Sequence, residues 1–549
     1  MHWADKIAKE IVTSGKYKSS LPDGGKSYWV DDMKTPSGYA HIGSMLGPVV
    51  HSAIYRALKD IGKEVILTYV FNDFDPADEF PSVLKDALDG HQGKALKMCP
   101  SPSSDFENLA DFLADDLKKS IEYLGFEAKY ISSWDLYKAG RFDKVIKLAL
   151  DNSEKVQDIY SKVSGSQKKE KGWLPFQTIC EKCGKVGTTR VFKWDGEKVT
   201  YKCEPKLVTW AEGCGYEGKV SPFGGTGKLP WKIDWAAHWA VIGVTIEGAG
   251  KDHASKGGSY DIAMAICKEV FKYPMPYKLP YEFLLIEGKK MSSSKGIGLK
   301  AHDLVNILPA EIARFLFINK DINKQSNFDP DGTMAIPDLF DEYDKTWEAY
   351  TKNGDNDLAR TFVLSQLHTI PEKEKGFFVP RFRDIANYLS QGLTDEEVFK
   401  KITEIKSGRV DDSEISIFEE RVKYAKIWLK NYSPDEYRFE LSKKIPEEAL
   451  KLSKVQKEYL GKIKEIYNDD ETAESLQISL YELTKSLNIP TKEGFTAIYI
   501  ALIGKTHGPR AGTLLINIGR EKVSKRFDEI LKFKISPLHQ QKKVVNYNN

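Results

Sequence analysis

The sequence has few cysteines, almost no net charge and no long hydrophobic run, and each of these features limits what the protein can be. Six cysteines in 549 residues are too few for a dense disulfide framework. No run of about 18 apolar residues occurs, and the amino terminus lacks a signal-peptide core, so we expect a cytoplasmic protein without a membrane partner. The positive charges of Lys plus Arg (81) and the negative charges of Asp plus Glu (79) nearly cancel. Any binding of nucleic acid therefore depends on local basic surfaces.

What is present is typical of a folded protein with several cores. Hydrophobic residues make up 41% of the chain and charged residues 29%. At roughly 100–200 residues per domain, this length predicts about three or four folded units.

The first 71 residues have the pattern of a βαβ unit, preceded by a short amphipathic helix. Lys26 to Val30 predicts a strand, Thr35 to Ser44 a tight loop, Met45 to Ile61 a helix, and Val65 to Phe71 a continuous buried strand. A βαβ unit implies a parallel sheet that binds its ligand at the carboxyl ends of the strands, where this loop lies.

Sheet-like sequence resumes late, with a strand predicted over Tyr281 to Gly288. Between the two parts lies an insertion, and from about Pro330 onward the segments are charged and amphipathic with a helical period. We therefore predict an α/β fold: a Rossmann-like parallel-sheet domain with an inserted subdomain, followed by an all-α carboxyl-terminal domain.

The first candidate motif is His41-Ile42-Gly43-Ser44, placed between a strand and a helix. A helix amino terminus attracts anions, Gly43 permits close approach of a nucleotide, and His41 can donate to a phosphate oxygen. Alone, the tetrapeptide is equally typical of a histidine that satisfies a loop carbonyl.

The second candidate is the run Lys290-Met291-Ser292-Ser293-Ser294-Lys295, a polar loop after the late strand. Two ammonium groups and three hydroxyls on such a loop suit the charge that develops on a leaving pyrophosphate. One motif follows an early strand and the other a late strand, so a crevice between the two halves of the sheet would bring them together. That pairing favours an ATP site over two unrelated surface loops.

Four of the cysteines cluster, as Cys180, Cys183, Cys203 and Cys214. The first two are spaced as zinc ligands, and the segment between the pairs predicts a hairpin that brings the second pair close. We predict one structural zinc site and no second one, because residues 99–112 offer a single thiol and no histidine.

HIGS and KMSSS resemble the HIGH and KMSKS signatures of the class I aminoacyl-tRNA synthetases. Within the class the chain is similar to the archaeal-type lysyl enzymes, through TPSGYAHIGS, KLPWKIDWAAHW, GKDH, PYEF and GKTHGPRAGTLLINIGREKV, in family order over nearly the whole chain. The resemblance implies activation of lysine by ATP with Mg²⁺, then transfer of lysine to the 3′ end of its tRNA.

The same resemblance implies site residues. His41, Gly43 and Lys290 would bind ATP, and the catalytic set would comprise His41, Ser44, Lys290, Ser292, Ser294 and Lys295. Thr35, Trp231, Asp234, His253 and Tyr281 would surround lysine.

Several points stay open on the sequence alone. Asp31, Asp32 and Asp234 are equal candidates for pairing with the ammonium of lysine. The tryptophans at 231, 235 and 239 share one helical face, which indicates either a slot for the methylene stem or core packing. The same choice applies to Tyr424, Trp428 and Tyr432 as anticodon contacts or core.

The chain departs from the family pattern at three positions. Ser44 replaces the second histidine of HIGH, Ser293 replaces the second lysine of KMSKS, and Met33 stands where glycine is expected. Two alternatives therefore remain: a catalytically impaired tRNA-binding paralogue, and a class I synthetase for another amino acid such as glutamate. A small-molecule nucleotidyltransferase is disfavoured by the long helical tail.

The resemblance also implies a division of the chain. Residues 1–71 and 228–300 would form the catalytic domain, 72–227 the acceptor-binding insertion, 301–345 a stem-contact linker, and 346–549 the helical anticodon-binding domain. Oligomeric state is not determined by the sequence, and a monomer is favoured.

Overall fold

The computed structural model describes residues 1–533 apart from 22–23, 79, 81–83, 86–87, 166–171, 292–297, 353, 355, 368–369, 371–377, 407–408, 438, 440 and 469. The chain forms two compact units. The first comprises residues 1–329 and 342–376, and the second comprises 330–341 and the chain from 377 onward.

The strands are, in chain order, β1 (Tyr28–Lys34), β2 (Val65–Phe71), β3 (Lys129–Ser132), β4 (Gln177–Thr178), β5 (Thr189–Trp194), β6 (Val199–Cys203), β7 (Glu217–Val220), β8 (Gly227–Lys228), β9 (Ile246–Gly250), β10 (Tyr277–Tyr281), β11 (Leu284–Leu285) and β12 (Ser326–Asn327).

The helices of the first unit, with α11 running across the boundary, are α1 (Trp3–Ser14), α2 (Leu46–Asp60), α3 (Leu109–Tyr123), α4 (Ser133–Lys138), α5 (Asp143–Asp151), α6 (Ser153–Ser164), α7 (Trp231–Ile242), α8 (Lys251–Ala254), α9 (Ser259–Glu269), α10 (Ala310–Ile318), α11 (Ala335–Thr351) and α12 (Asp357–Ser365). Those of the second are α13 (Phe382–Ser390), α14 (Asp395–Lys406), α15 (Asp412–Asn431), α16 (Glu447–Leu450), α17 (Lys454–Ile466), α18 (Ala473–Ser486), α19 (Thr491–Ile503), α20 (Ala511–Ile518) and α21 (Arg520–Lys532).

A five-stranded parallel sheet in the order β10-β9-β1-β2-β3 organises the first unit. The chain moves outward from β1 through β2 to β3 and then returns to β9 on the other side of β1. The strand order therefore reverses between β1 and β9, which is where α/β sheets of this kind bind ligands. The parallel α/β fold predicted from the sequence is confirmed.

The predicted elements at the amino terminus are largely confirmed. β2 has the predicted bounds, and its continuous apolar sequence VILTYVF fits a strand covered on both faces. α2 begins at Leu46 after a 3₁₀ turn at Ile42–Met45, and β1 continues to Lys34, four residues beyond the predicted end. That extension carries acidic residues into the sheet.

The prediction of one continuous strand over Tyr281 to Gly288 is wrong, because only Tyr281 and the pair Leu284–Leu285 are in strands. The fifth strand of the sheet is β10, which ends at Tyr281, and the apolar pair of β11 joins β12 in a separate two-stranded sheet. β10 is an edge strand, so it tolerates Pro280, which cannot donate to a central ladder. Sequence patterning favours apolar runs and therefore overlooked it.

The insertion contains the predicted hairpin. β5 and β6 pair antiparallel, and β7 adds to β6 to give a three-stranded sheet. The turn is closed by the Asp195 carboxylate, which accepts from the backbone N–H groups of Glu197 (3.0 Å) and Lys198 (2.7 Å). The hairpin places Cys203 at the end of β6, close to the first cysteine pair.

The second unit is helical in its described part. Residues from Ala449 to Ile530 build one apolar core from α16 to α21. In α15, Tyr424 and Trp428 are buried. Their helical spacing therefore reflects core packing, while Tyr432 is half-buried. No helix of the described residues is both long and apolar enough to span a bilayer.

Candidate active site

The HIGS loop is tied to the chain that follows the KMSSS motif. The Ile42 backbone N–H donates to the Leu299 carbonyl at 2.9 Å, and the Ala301 N–H donates to the Ala40 carbonyl at 2.7 Å. These bonds fix the loop at the carboxyl end of β1 against a segment distant in sequence. Ser44, whose N–H donates to the His41 carbonyl at 2.8 Å, belongs to the 3₁₀ turn.

The two motifs touch through Gly43 and Met291. A Cβ built on Gly43 would lie 2.9 Å from Met291 Cε and 3.1 Å from His41 Nδ1. Met291 is only 4% exposed, so it anchors its segment beside the first motif. Ser292, Ser294 and Lys295 lie outside the described residues.

His41 faces two cationic side chains. Burial lowers its pKa to about 4, and the nearby ammonium groups of Lys34 and Lys290 act in the same direction. The imidazole is therefore neutral at physiological pH, and its Nδ1 atom has no hydrogen-bond partner among the described residues. An imidazole influenced by two nearby ammonium groups suits an anion with several oxygens. Sequence reasoning missed Lys34, because the strand was predicted to end at Val30 and β1 continues to Lys34.

Lys290 is held in an ion pair. Its Nζ atom donates to Asp252 Oδ2 at 2.8 Å and lies 4.4 Å from the centre of the Phe283 ring. Burial acts to raise the pKa of Asp252, but Lys290 and His253 outweigh it and lower that pKa. A phosphate approaching Lys290 would compete with this carboxylate.

Buried acids occupy the switch point of the sheet. Asp31 lies opposite Glu247 in the pairing of β1 with β9. Asp31 accepts a hydrogen bond from Thr68, and its other oxygen has no partner among the described residues. Burial, reinforced by the charge of Asp32, raises the pKa of Asp31 to about 7, and burial likewise raises that of Glu247. Glu247 was not predicted, because it stands within an apolar stretch.

Asp32 and Tyr281 meet at the start of α2. A Cβ on Gly47 would lie 2.8 Å from Asp32 Oδ2 and 2.9 Å from the Tyr281 hydroxyl, so glycine leaves room for both groups. Asp32 Oδ2 also lies 3.5 Å from Nδ1 of the buried His51. A carboxylate and a phenol thus border the same small space.

The tryptophan stripe of α7 divides into two parts. Trp235 and Trp239 are buried, and their indole N–H groups donate to the Glu247 carboxylate. Trp231 is 47% exposed and lies beside His253, with ring centroids 5.7 Å apart. Only Trp231 is therefore free to line an open slot.

Thr35 and Asp234 belong to a buried polar network. The Thr35 hydroxyl donates to Asp75 Oδ2 at 2.5 Å, and Lys228 pairs with both Asp75 and, at 2.9 Å, Asp234 Oδ2. Tyr137 donates to the other Asp234 oxygen at 2.6 Å. Both oxygens of Asp234 are therefore already bonded within the chain, whereas one oxygen of Asp31 has no partner among the described residues.

The four cysteines of the insertion converge. Their sulfur atoms all lie within 4.8 Å of one another, with Cys180 and Cys214 3.6 Å apart and Cys183 and Cys203 3.7 Å apart. These separations are too long for disulfides. They match the roughly 3.8 Å between sulfurs placed tetrahedrally about 2.3 Å from a zinc ion. The donor set and its geometry therefore fit zinc.

A parallel sheet with an imidazole and two ammonium groups at its switch point has the layout of a nucleotide-binding enzyme. A family model described as "tRNA synthetases class I (K)" matches residues 1–369, and one described as "Anticodon binding domain" matches residues 384–531. The chain therefore belongs to the class I aminoacyl-tRNA synthetases.

Similar relatives place it more narrowly. The lysine–tRNA ligase of Archaeoglobus fulgidus is 32% identical over 535 residues, which covers 97% of this chain and 100% of the relative. That of Methanocaldococcus jannaschii is 33% identical over 557 residues, covering 96% and 99%. Within the class, the chain is a member of the archaeal-type lysyl family.

Proposed function

We propose that this chain is a lysine–tRNA ligase, which activates lysine with ATP and transfers it to the 3′ end of lysine tRNA. The observation that supports the proposal is the contact of the two motifs at Gly43 and Met291, together with the two lysines, Lys34 of β1 and Lys290, whose charges act on His41. His41 and the two lysines can each donate a hydrogen bond to the triphosphate of ATP, and a bound phosphate would take the place of Asp252 at Lys290.

In the first step, a carboxylate oxygen of lysine attacks the α-phosphorus in line, the bond to the β-phosphate oxygen breaks, and pyrophosphate leaves. Lys34 and Lys290 stabilise the charge that moves onto the leaving group, and neutral His41 donates to a phosphate oxygen. Mg²⁺ bound with ATP would share that charge. In the second step, a hydroxyl of the terminal adenosine, by resemblance the 2′-hydroxyl, attacks the lysyl carbonyl and AMP leaves.

The acids of the switch point support lysine over glutamate. Asp31, Asp32 and Glu247 place three acidic groups beside the predicted subsite. A bound ammonium would favour their ionised forms and be attracted by them, whereas a substrate carboxylate would gain no such attraction. Tyr281 borders Asp32, while Trp231 and His253 form an open apolar wall suited to a methylene stem. Met33, in place of glycine, packs its side chain against the apolar core that also contains Trp235.

We further propose that the insertion, residues 72–227, contacts the acceptor end of the tRNA, with 301–345 against its stem, and is stabilised by zinc on the four cysteines. Zinc would supply fold stability there and no catalytic step, because all four ligand positions are protein thiols.

For the helical unit, we propose that a cleft of about 580 Å³ receives an anticodon nucleotide. Leu389, Leu393 and Leu429 supply apolar surface, and Tyr437 and Phe439 supply rings for stacking. Lys430, which also lines the cleft, has no ion-pair partner among the described residues, so it is available for a phosphate.

The deciding experiment is charging of total tRNA with labelled lysine or glutamate by the wild type and Lys290→Ala. We expect lysine alone to be charged, and the variant to lose on the order of 10²-fold or more in rate, as for other groups that stabilise transition-state charge. Charging of glutamate would identify the alternative synthetase. Binding of tRNA without formation of lysyl-adenylate, measured with tRNA present, would identify the inactive paralogue.

A further inference from the structure

Lys228 is a charged side chain in the interior of the first unit. It is 1% exposed, and it lies on β8, which pairs with β4 immediately before the cysteine cluster. Burial by itself would lower its pKa, but the attraction of Asp234 and Asp75 overcomes that effect and raises it. The ammonium group therefore stays charged between two carboxylates.

The contacts of Lys228 and Asp75 determine whether the Thr35 hydroxyl donates or accepts a hydrogen bond. Lys228 fixes one oxygen of Asp75, and the other oxygen, Oδ2, accepts the Thr35 hydroxyl at 2.5 Å. Because the Thr35 proton is committed to Asp75, the hydroxyl oxygen has only lone pairs left to offer. It can accept from an N–H group, and it cannot donate to a carboxylate.

The charge balance favours the same kind of ligand. Two carboxylates and one ammonium leave the buried triad of Asp75, Lys228 and Asp234 with one excess negative charge. That charge lies behind Thr35, where it attracts an ammonium group and repels a carboxylate.

We propose that Lys228 is a positioning residue for amino-acid recognition: acting through Asp75, it fixes the Thr35 hydroxyl as an acceptor for an ammonium group of lysine. The inference rests on the proposed function, because it takes Thr35 to border the bound lysine. It adds to that function a role for Lys228, which contacts no substrate and acts on Thr35 through Asp75, a residue of the insertion.

A double-mutant cycle tests this role. Thr35→Val and Lys228→Met are measured singly and together, with KM for lysine and KM for ATP determined in tRNA charging. We expect each single variant to raise KM for lysine roughly tenfold or more, as for loss of a hydrogen bond to a charged group, with little change in KM for ATP. The double variant should be no worse than about twofold beyond either single one, because both remove the same contact.

Control variants distinguish the positioning role of Lys228 from a general loss of stability. Tyr137→Phe removes a bond from Asp234, on the side of Lys228 away from Thr35, so it should lower Tm without raising KM for lysine. Thr35→Ser retains the hydroxyl and should restore KM. If Lys228→Met does not fold, Asp75→Asn replaces it in the cycle, since it breaks the ion pair and keeps an amide oxygen for Thr35.

The outcomes are distinct. The positioning role would be overturned if the KM for lysine of the double variant rose by the product of the two single effects. It would also be overturned if KM rose equally for lysine and ATP. In either case, lysine charging by the wild type would still support the ligase. Absence of lysine charging by the wild type would instead overturn the proposed function.

Discussion

Met291 Cε lies 2.9 Å from the position that a Cβ at Gly43 would occupy, and this contact joins two motifs almost 250 residues apart in the sequence. Met291 is itself enclosed, since a Cβ on Gly298 would lie 2.4 Å from its Cγ atom. The side chain therefore has little room to withdraw. The distance between the HIGS loop and Lys290 depends on this packing.

Gly43→Ala should accordingly impair the use of ATP. The added methyl displaces Met291 and the His41 ring, and small displacements of catalytic groups cost roughly tenfold to a hundredfold in rate. Measured by tRNA charging, kcat should fall or KM for ATP should rise, with KM for lysine nearly unchanged.

Gly47→Ala is the matched variant, because its methyl meets Asp32 and Tyr281 instead. We expect it to raise KM for lysine and to spare ATP. If both alanines affect the two substrates alike, the two subsites are not separated as the geometry indicates.

The pH dependence of the unfolding free energy should reveal the raised pKa of Asp31. Its pKa is about 7 in the folded state against about 3.8 ordinarily, so the folded chain binds this proton more tightly than the unfolded chain does. Stability from this group is present below about pH 4 and is lost as pH rises through 7.

Asp31→Asn removes that loss and keeps an oxygen for Thr68. Between pH 5 and pH 8, the unfolding free energy of the variant should improve relative to the wild type by about 2–3 kcal/mol. Urea titration followed by tryptophan fluorescence suits the measurement, because every tryptophan except Trp428 lies in the first unit. An unchanged difference across that range would show that Asp31 is ionised throughout.

Removal of zinc should destabilise the insertion. The purified chain should contain one zinc ion, and Cys183→Ser should lose it and unfold at a lower temperature, because metal binding contributes directly to the stability of such sites. Cys267→Ser is the control, since this buried thiol lies outside the cluster. Full zinc content in Cys183→Ser would mean that the metal is held elsewhere.

How far the sequence predicts this structure depends on where each residue finds its partner. The strand from Val65 to Phe71 was predictable because burial on both faces requires an unbroken apolar run. β10 was not, because an edge strand is free of that requirement and carries Pro280 and Lys278.

The site likewise has features that the sequence predicted and features that depend on tertiary packing. The sequence predicted that the two motifs pair, and the structure brings Gly43 and Met291 into contact, although the last strand of the main sheet ends at Tyr281 and not at Gly288. The partner of Asp234 did not follow, because Lys228 and Asp234 lie on different elements and only tertiary packing brings their charges to 2.9 Å. Glu247 was hidden in the same way, since its partners are two indole N–H groups on α7.

The cleft of the helical unit should bind a nucleotide through stacking and one phosphate contact. Phe439→Ala should weaken binding of an anticodon stem-loop about tenfold, in line with the roughly 1–3 kcal/mol of one base stacked on a ring. Lys430→Ala should weaken it less and should reduce the salt dependence by about one phosphate contact. Fluorescence anisotropy with a labelled stem-loop, titrated at several salt concentrations, measures both effects.

The controls separate this cleft from the charge of the unit as a whole and from catalysis. Lys454→Ala removes an exposed lysine of the same unit that does not line the cleft, so it should leave stem-loop binding unchanged. Charging of a minihelix that contains only the acceptor stem should be equal in wild type, Phe439→Ala and Lys430→Ala, because that substrate lacks an anticodon. If Phe439→Ala slows minihelix charging as much as it slows charging of full-length tRNA, the cleft does not act through the anticodon. If Phe439→Ala and Lys430→Ala also bind the stem-loop as the wild type does, the anticodon nucleotides are held on another face of the helical unit.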